Sequence, residues 1–346
     1  MKRYLDYVWP IIGLVAVVLS VKLLYEKLKA EAASDQAVKL LLETGDLWSH
    51  VKVIASVIGL KLAVIPIHSY LLAFASTLVA YAALAWYDRI ALIHLGKERG
   101  ISFFYIAVCS FVTYALSHNI GASVFSGGMV RLRAYTAKGL SAAEIAVLVA
   151  LCSFTFAFGT LILLGFVLVV EPEIIRPLTS LSRHFAIGDT AARLVGVGFL
   201  AFCLIYTLGA WLKLRPLKIG NFRLVYPGLP IVARQYLAAP LELIGAAGII
   251  YFALPGDGNP GFMIVLGAFL LSFSAGLLSQ VPGGVGVMEA VFLAVIPGVP
   301  ATAVFAALLI WRLFYLLLPL AMAIPAIILF ERAQIAKSSS AAAEGP

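Results

Sequence analysis

The stretch Ser279-Gln-Val-Pro-Gly-Gly-Val-Gly-Val-Met-Glu289 decides how the second half of the chain folds. Three glycines and one proline fall within the five residues 282–286. Glycine and proline are the residues least able to continue a helix. The stretch therefore predicts a break in the backbone, and Glu289 follows directly after that break.

The composition around this stretch is that of a membrane protein. Of the 346 residues, 62% are hydrophobic and 12% are charged, whereas about a quarter of the residues in a soluble domain are charged. Several windows are longer than the roughly 20 apolar residues that cross a bilayer. No window of soluble composition is long enough for a catalytic domain. We therefore predict an all-α polytopic membrane protein, built as a bundle of transmembrane helices.

The net charge of +8 does not indicate a nucleic-acid partner, because the lysines and arginines lie between apolar runs. There they set the orientation of helices and meet anionic lipid headgroups. The three cysteines lie inside apolar runs, and no pair has the spacing of a metal or redox site. The N-terminal apolar run, Trp9 to Leu24, is either a signal peptide or a retained first helix. The charges at Lys22 and Glu26 favour the helix.

The basic clusters predict the orientation of the chain. By the positive-inside rule, both termini and the clusters at 89–99, 131–138 and 213–223 lie in the cytoplasm. We therefore expect a multi-pass protein of the bacterial cytoplasmic (inner) membrane. Its integral membrane domain is predicted to span residues 1–335, and the small, polar segment 336–346 is predicted to be a disordered tail.

The apolar stretch Ile101–Phe125 lies between two of these cytoplasmic clusters. It is therefore predicted to enter and leave the membrane on the same side. This makes it a re-entrant hairpin of two half-helices of about 12 residues, which meet between Asn119 and Gly121. The alternative is a simple crossing, which would place the basic cluster 131–138 outside the cell.

Two glycine pairs in similar surroundings indicate an internal repeat. Gly127-Gly128 and Gly283-Gly284 each follow an apolar stretch and precede a long apolar helix. The repeat-like halves are 101–170 and 261–330, and three predicted spans, 144–170, 194–212 and 229–254, separate the two pairs. An odd number of crossings inverts the second half relative to the first. Inverted repeats with broken helices at the midplane are a recurring plan of secondary transporters, so two re-entrant broken-helix hairpins are predicted.

Several motifs in this order resemble a known family. They are Tyr87-Asp-Arg-Ile-Ala-Leu92, Tyr114-Ala-Leu-Ser-His-Asn-Ile-Gly121, Ser126-Gly-Gly-Met-Val-Arg-Leu-Arg-Ala-Tyr135, Gly139-Leu-Ser141, Pro282-Gly-Gly-Val-Gly-Val-Met-Glu289 and Arg312. They are similar to the lysylphosphatidylglycerol synthase transmembrane-region family, and most of all to the flippase half of the multiple peptide resistance factor. The resemblance implies a membrane domain that moves an aminoacylated phospholipid between leaflets. Full-length members carry a soluble transferase domain after the membrane part. None follows here, so we expect that this chain does not make the aminoacyl-lipid itself.

Polar and flexible residues at the two breaks are the candidates for binding such a lipid. Arg131 and Arg133 would hold a phosphate, or they are ordinary basic residues of a cytoplasmic loop. Glu289 and Arg312 lie in apolar surroundings, where a charge costs at least about 2.5–3.5 kcal/mol at the bilayer centre. They pair with each other or face a cavity. The full set of substrate-binding candidates is Asn119, Ser126, Gly127, Gly128, Arg131, Arg133, Pro282, Gly283, Gly284, Glu289 and Arg312.

Other charged residues receive a structural interpretation or an open one. Asp88 and Arg89 follow the predicted span Ser69–Trp86 and are expected in the cytoplasmic loop after it, where a structural role is favoured for Asp88. Arg234 and Glu242 are two turns apart on one helix face; both would line the cavity, unless Arg234 extends to the membrane interface. His118 has no partner at metal-ligand spacing. No arrangement typical of a hydrolase, a metal site, a cofactor site or an ATP-binding loop is present, so no catalytic residue is assigned.

The sequence thus favours a lipid translocase for an aminoacylated or another anionic or zwitterionic phospholipid. One alternative is a non-transporting intramembrane enzyme, or an accessory subunit of a separately encoded lipid-modifying synthase. Another is a scaffold for such a synthase. Phospholipid is the expected ligand in the first case, and homo-oligomerisation stays open in all three.

Overall fold

The computed structural model describes residues 47–120, 123–179, 188–213, 217–219 and 222–343, together with Lys22, Tyr25, Glu26 and Lys29. The predicted first span, Trp9 to Leu24, lies outside the described residues apart from Lys22.

The described residues form a helix bundle with one short β-hairpin. In chain order its helices are α1 (Leu47–Val64), α2 (Ile67–His94), α3 (Phe103–Ile120), α4 (Ser123–Thr136), α5 (Ala142–Val170), α6 (Arg176–Thr179), α7 (Asp189–Trp211), α8 (Leu229–Ala253), α9 (Phe262–Leu278), α10 (Val287–Val295), α11 (Ala301–Trp311) and α12 (Leu318–Ala343). The antiparallel strands β1 (Leu217–Ile219) and β2 (Phe222–Leu224) lie between α7 and α8. Two 3₁₀ turns cover Pro172–Ile175 and Pro282–Gly284, and a π-helical segment covers Arg312–Leu317.

Five of the described segments are long and apolar enough to cross a membrane. They are α2, α5, α7, α8 and the continuous run Ala301–Leu329, which contains α11, the π-helical segment and the first part of α12. The prediction of an all-α polytopic membrane protein is confirmed. The boundaries agree closely for α8, which was expected over 229–254 and is found over Leu229–Ala253.

The central helices approach each other through glycines. A Cβ atom on Gly245 would lie 2.9 Å from the backbone oxygen of Ser76, so α8 and α2 are in backbone contact there. Gly165 on α5 and Gly196 on α7 face each other in the same way. Small residues at helix interfaces allow this close packing, which supplies most of the association energy in a membrane, where the hydrophobic effect between helices is absent.

Two helices, α3 and α4, lie over the stretch predicted to form the first hairpin, and they are 18 and 14 residues long rather than two equal halves of Ile101–Phe125. Helices α3 and α4 pack antiparallel, since Tyr105 on α3 donates a hydrogen bond to the carbonyl of Ala134 at 2.7 Å and Ser117 lies against Gly127. The prediction that Gly127-Gly128 forms part of a break is wrong, because α4 continues through both. A Cβ on Gly127 would lie 2.5 Å from the Ser117 hydroxyl oxygen, so this glycine allows helix packing. Residues 121–122, which separate α3 from α4 in the sequence, lie outside the described residues.

The second predicted break is confirmed. Helix α9 ends at Leu278, and the backbone adopts positive φ angles at Gly283 (+61°), Gly284 (+61°) and Gly286 (+82°) before α10 begins. A left-handed conformation suits glycine because it has no Cβ atom. The two glycine pairs are therefore not equivalent, since one lies within a helix and the other in a turn. The inverted repeat and the re-entry of either hairpin remain predictions.

Two further expectations differ from the structure. Asp88 and Arg89 were expected in a loop after a span that ends at Trp86, but α2 continues to His94 and includes them. The tail predicted over 336–346 continues α12 as helix up to Ala343. Its last described residues are three alanines, which have the highest helix propensity.

Candidate functional site

A buried ion pair joins the first hairpin to α2. The Arg131 guanidinium donates two hydrogen bonds to the Asp88 carboxylate, from Nη2 to Oδ1 at 2.6 Å and from Nε to Oδ2 at 3.2 Å. The Tyr135 hydroxyl donates to the same carboxylate at 3.0 Å. The Arg131 guanidinium also lies 4.9 Å from the ring centroid of Tyr114. The two charged side chains are 5% and 0% exposed, so Arg131 is satisfied within the protein without any ligand.

Arg133 lies in different surroundings from Arg131, although both are on α4. It is exposed and lines an apolar groove of about 490 Å³ between α3, α4 and α12. Phe104, Val108 and Met129 contribute to the walls of this groove. A cationic side chain beside an apolar groove suits an amphipathic molecule with an anionic end.

The charged pair at the second break is the one that the sequence predicted. Glu289 lies in the first turn of α10, where Oε2 accepts a hydrogen bond from the Gly286 backbone N–H at 2.8 Å. Its Oε1 accepts from Nε of Arg312 at 2.5 Å. Nη1 of Arg312 donates to the carbonyl of Gly283 at 2.9 Å. The α10 N-terminus is thus occupied by Glu289, and an external anion cannot use it while that contact holds.

A cavity of about 250 Å³ lies beside this break. It is bounded by the end of α3, by α9, by the glycine turn and by the start of the π-helical segment. Its lining residues include Ser117, His118, Phe273, Gly283, Gly284 and Trp311. The predicted residues Gly283 and Gly284 therefore face a cavity, and Arg312 lies directly behind Gly283.

Three buried polar atoms, two on residues that line this cavity and one on Arg312 behind Gly283, have no hydrogen-bond partner among the described residues. They are Nδ1 of His118, Nε1 of Trp311 and Nη2 of Arg312. Buried polar groups in proteins are nearly always hydrogen-bonded, and an N–H on a charged group is especially costly to leave unpaired. The Arg312 and Trp311 atoms can only donate, and His118 can also donate in one tautomer. The arrangement therefore favours a ligand rich in acceptor oxygens.

The remaining candidates lie around the first hairpin. Asn119 donates from Nδ2 to the carbonyls of Ala115 at 2.7 Å and Leu316 at 3.1 Å, so it ties α3 to the π-helical segment. The side chain of Ser126 lies outside the described residues. A Cβ on Gly128 would meet no atom within 4 Å. Pro282 begins the 3₁₀ turn that carries Gly283.

The expectation that Arg234 and Glu242 share the cavity is wrong. Arg234 is exposed, and its Nη1 donates to the carbonyl of Pro230 at 2.9 Å. Glu242 is completely buried and does not line the cavity. It accepts hydrogen bonds from the hydroxyls of Tyr315 at 2.5 Å and Tyr87 at 3.5 Å.

Two residues near the site were missed as functional candidates. Tyr315 connects Glu242 to His118, because its ring stacks on the His118 ring with centroids 5.2 Å apart. His118 was considered as a metal ligand, but it lines the cavity that adjoins the break. The signal available for Tyr315 was its position three residues after Arg312, which places both on one side of a helix.

Comparison with known proteins supports a membrane-protein family. No family model matches the chain. An uncharacterized protein of Synechocystis sp., slr0712, is 32% identical over 263 residues, which cover 76% of this chain and 79% of that protein. The inner membrane protein YbhN of Escherichia coli is 29% identical over 257 residues, which cover 73% and 77%.

A shorter match reaches a protein named for lipid chemistry. The chain is 34% identical to a phosphatidylglycerol lysyltransferase of Staphylococcus haemolyticus over 91 residues. These residues cover 25% of this chain and 11% of that protein. This partial match agrees with the family resemblance of the sequence motifs. The match to slr0712 decides the assignment: the chain belongs to the same family as slr0712, and it is also similar to the inner membrane protein YbhN over most of its length.

Proposed function

We propose that the protein moves an anionic or aminoacylated phospholipid between the leaflets of the membrane. The observation that carries the proposal is the Arg312 guanidinium at the glycine turn, whose Nη2 is buried without an acceptor among the described residues. The phosphate of a lipid headgroup would accept from this atom and from Nδ1 of His118. Arg312 is 14% exposed, so a small movement of the turn would bring the guanidinium into the cavity.

The flexibility needed for this movement is built into the turn. Gly283 lies between the cavity and Arg312, and both Gly283 and the neighbouring Gly284 have positive φ angles. Glu289 neutralises the arginine at rest, because it accepts the Nε hydrogen bond. A headgroup phosphate would compete with Glu289 for the guanidinium, and an aminoacyl cation on the same headgroup would pair with the released carboxylate.

The apolar groove beside Arg133 supports a lipid as the cargo. With about 490 Å³ between α3, α4 and α12, it can hold part of an acyl chain while Arg133 contacts the phosphate. Helix α3 borders both the groove and the cavity. The partial match to a phosphatidylglycerol lysyltransferase points to phosphatidylglycerol, with or without an aminoacyl group, as the first lipid to test.

The test is lipid movement in proteoliposomes. The full chain is reconstituted with phosphatidylglycerol that carries a fluorophore on an acyl chain, and a membrane-impermeant quencher reports the outer-leaflet fraction over time. Wild-type protein is expected to exchange the probe faster than protein-free liposomes. A hydrogen bond to a charged group contributes about 1.5–3 kcal/mol, so Arg312→Gln is expected to slow the exchange about tenfold or more.

Matched variants separate the cavity from general effects of charge or folding. Arg234→Gln removes an exposed arginine outside the cavity and is expected to leave exchange unchanged. His118→Phe keeps a ring against Tyr315 but removes Nδ1, and is expected to slow exchange with little effect on stability. Exchange by wild type at the rate of empty liposomes would refute the proposal. Equal rates for wild type, Arg312→Gln and His118→Phe would refute the assigned site.

A further inference from the structure

We infer that Glu242 is a proton-binding site and that its proton couples an electrochemical gradient to the movement of lipid through the cavity. The coupling rests on the proposed function; the proton site stands on its own geometry.

The carboxyl group of Glu242 is held without a cation. It is completely buried in α8, and none of the ion pairs between described residues involves it. Among the described residues, it accepts hydrogen bonds from the neutral hydroxyls of Tyr315 and Tyr87. A carboxylate ion buried among apolar groups without a counter-charge is strongly disfavoured, and such a group takes up a proton instead. Carboxyl groups inside membrane helices commonly belong to proton pathways.

In the described part of the chain, the elements packed against α8 direct tyrosines and no cation at Glu242. From α2, Tyr81 and Tyr87 face Glu242, and from the π-helical segment Tyr315 does so. Helices α9 and α11 contain no titratable side chain. Among the described residues, Glu242 thus differs from the other two buried carboxylates, Asp88 and Glu289, which both pair with an arginine.

The groups on α5 and α7 are directed elsewhere. Cys152 on α5 lies against Asp88, and the Arg131 guanidinium already neutralises that carboxylate. Tyr206 on α7 donates to Gln235, two turns before Glu242 on α8. Neither helix therefore brings a cation to Glu242 within the described part of the chain.

Tyr315 connects this carboxyl to the cavity. Its hydroxyl lies 2.5 Å from Oε1 of Glu242, and its ring stacks on two cavity-lining residues, His118 at 5.2 Å and Trp311 at 5.1 Å between centroids. It belongs to the same π-helical segment as Arg312. π-helical segments within α-helices occur frequently at functional sites. A change in the protonation of Glu242 thus acts on the π-helical segment that carries Arg312, the residue proposed to bind the headgroup.

The proton step needs no other reactant. A proton from water binds one carboxylate oxygen, which removes one negative charge, and its release on the other side restores that charge. In the ionised state the carboxylate binds the Tyr315 hydroxyl tightly, and in the neutral state that hold weakens. The π-helical segment can then shift relative to α8, and Arg312 moves with it.

Infrared titration tests the proton site independently of lipid transport. Difference spectra of the reconstituted full chain between acidic and alkaline buffer would contain the carbonyl stretch of a protonated, buried carboxyl group. This band is expected in wild type and absent in Glu242→Gln. Tyr315→Phe, which keeps the ring but removes the hydroxyl, is expected to shift its frequency. A wild-type spectrum without such a band, or one that Glu242→Gln leaves unchanged, would overturn the proton site.

Transport under an imposed pH gradient tests the coupling. In proteoliposomes, a gradient is expected to change the leaflet distribution of fluorescent phosphatidylglycerol in wild type. Glu242→Gln is expected to exchange the probe without any response to the gradient. Glu98→Gln, which neutralises an exposed carboxylate paired with Arg89, is expected to respond like wild type.

The outcomes separate the two proposals. Exchange by wild type that ignores the gradient would overturn the coupling and leave the proposed function standing. If wild type moves no lipid at all, the proposed function and the coupling both fail, and the infrared band alone decides whether Glu242 binds a proton. A gradient response that persists in Glu242→Gln would assign the coupling to another group and overturn the inference.

Discussion

Removing one partner of the buried pair between Asp88 and Arg131 should destabilise the protein more than any other single loss of charge outside the cavity. The pair is bidentate, with bonds of 2.6 and 3.2 Å, and its side chains are 0% and 5% exposed. Loss of one partner leaves the other charge buried without compensation, which typically costs about 3–5 kcal/mol. We therefore expect Asp88→Asn or Arg131→Met to lower the free energy of unfolding by about that amount.

The double variant makes the reasoning quantitative. Asp88→Asn with Arg131→Met removes both charges, so neither is left buried alone. Replacing a buried pair by neutral groups is often close to neutral for stability. We expect the double variant to be no less stable than either single variant, which corresponds to a coupling energy of at least about 3 kcal/mol in a double-mutant cycle.

The assay is reversible unfolding in mixed detergent micelles, followed by tryptophan fluorescence. The matched control is Glu98→Gln, which breaks the pair with Arg89 at 3.1 Å, where the side chains are 38% and 43% exposed. Exposed pairs contribute about 0.2–1 kcal/mol, so this control should change stability little. Additive losses in the double variant, or a loss at Asp88→Asn no greater than that of the control, would refute the claim that burial determines the cost.

Three more outcomes test the packing and the turns. Gly159→Ala should lower the free energy of unfolding by about 1–3 kcal/mol in the same assay, because the added Cβ would lie 2.6 Å from the Cβ of Ala239 on α8. The control Gly198→Ala adds a Cβ that meets no atom within 4 Å, so it should stabilise its helix by roughly 0.5–1 kcal/mol. Gly283→Ala places a Cβ at a φ of +61° and should cost about 1–2 kcal/mol and slow lipid exchange, unlike Gly128→Ala. Ser141→Ala removes the cap of α5 and should cost about 1 kcal/mol, with faster hydrogen exchange in the first turn of that helix.

The class of protein and most of its spans follow from the sequence, because length and hydropathy report directly on the requirement to cross a bilayer. Helix α8 is an example, since its predicted and observed ends differ by one residue. The break at Gly283 is equally predictable, because proline and several glycines together leave no helical alternative.

Residues whose role depends on a distant partner were not predictable in the same way. A polar residue such as Asp88 after an apolar run indicates a loop. In the structure this carboxylate is buried, and Arg131, 43 residues later in the sequence, compensates the cost of burying its charge. A glycine pair permits either a turn or close helix packing. At Gly127 the glycine allows close helix packing, because the Ser117 hydroxyl of α3 lies directly against it. The sequence around Gly127 does not show that Ser117 will be its neighbour.

The π-helical segment explains how one proline organises the site. Pro319 has no N–H, so the carbonyl of Tyr315, four residues earlier, loses its helical donor. The Tyr81 hydroxyl on α2 donates to that carbonyl at 2.9 Å. The next carbonyl, that of Leu316, accepts from Asn119 on α3 at 3.1 Å. Because side chains of two other helices satisfy these carbonyls, the wider turn is fixed in register between α2 and α3. It holds Arg312 at the glycine turn and Tyr315 at Glu242, so the position of Pro319 sets the distance between the residue proposed to bind the headgroup and the proposed proton site.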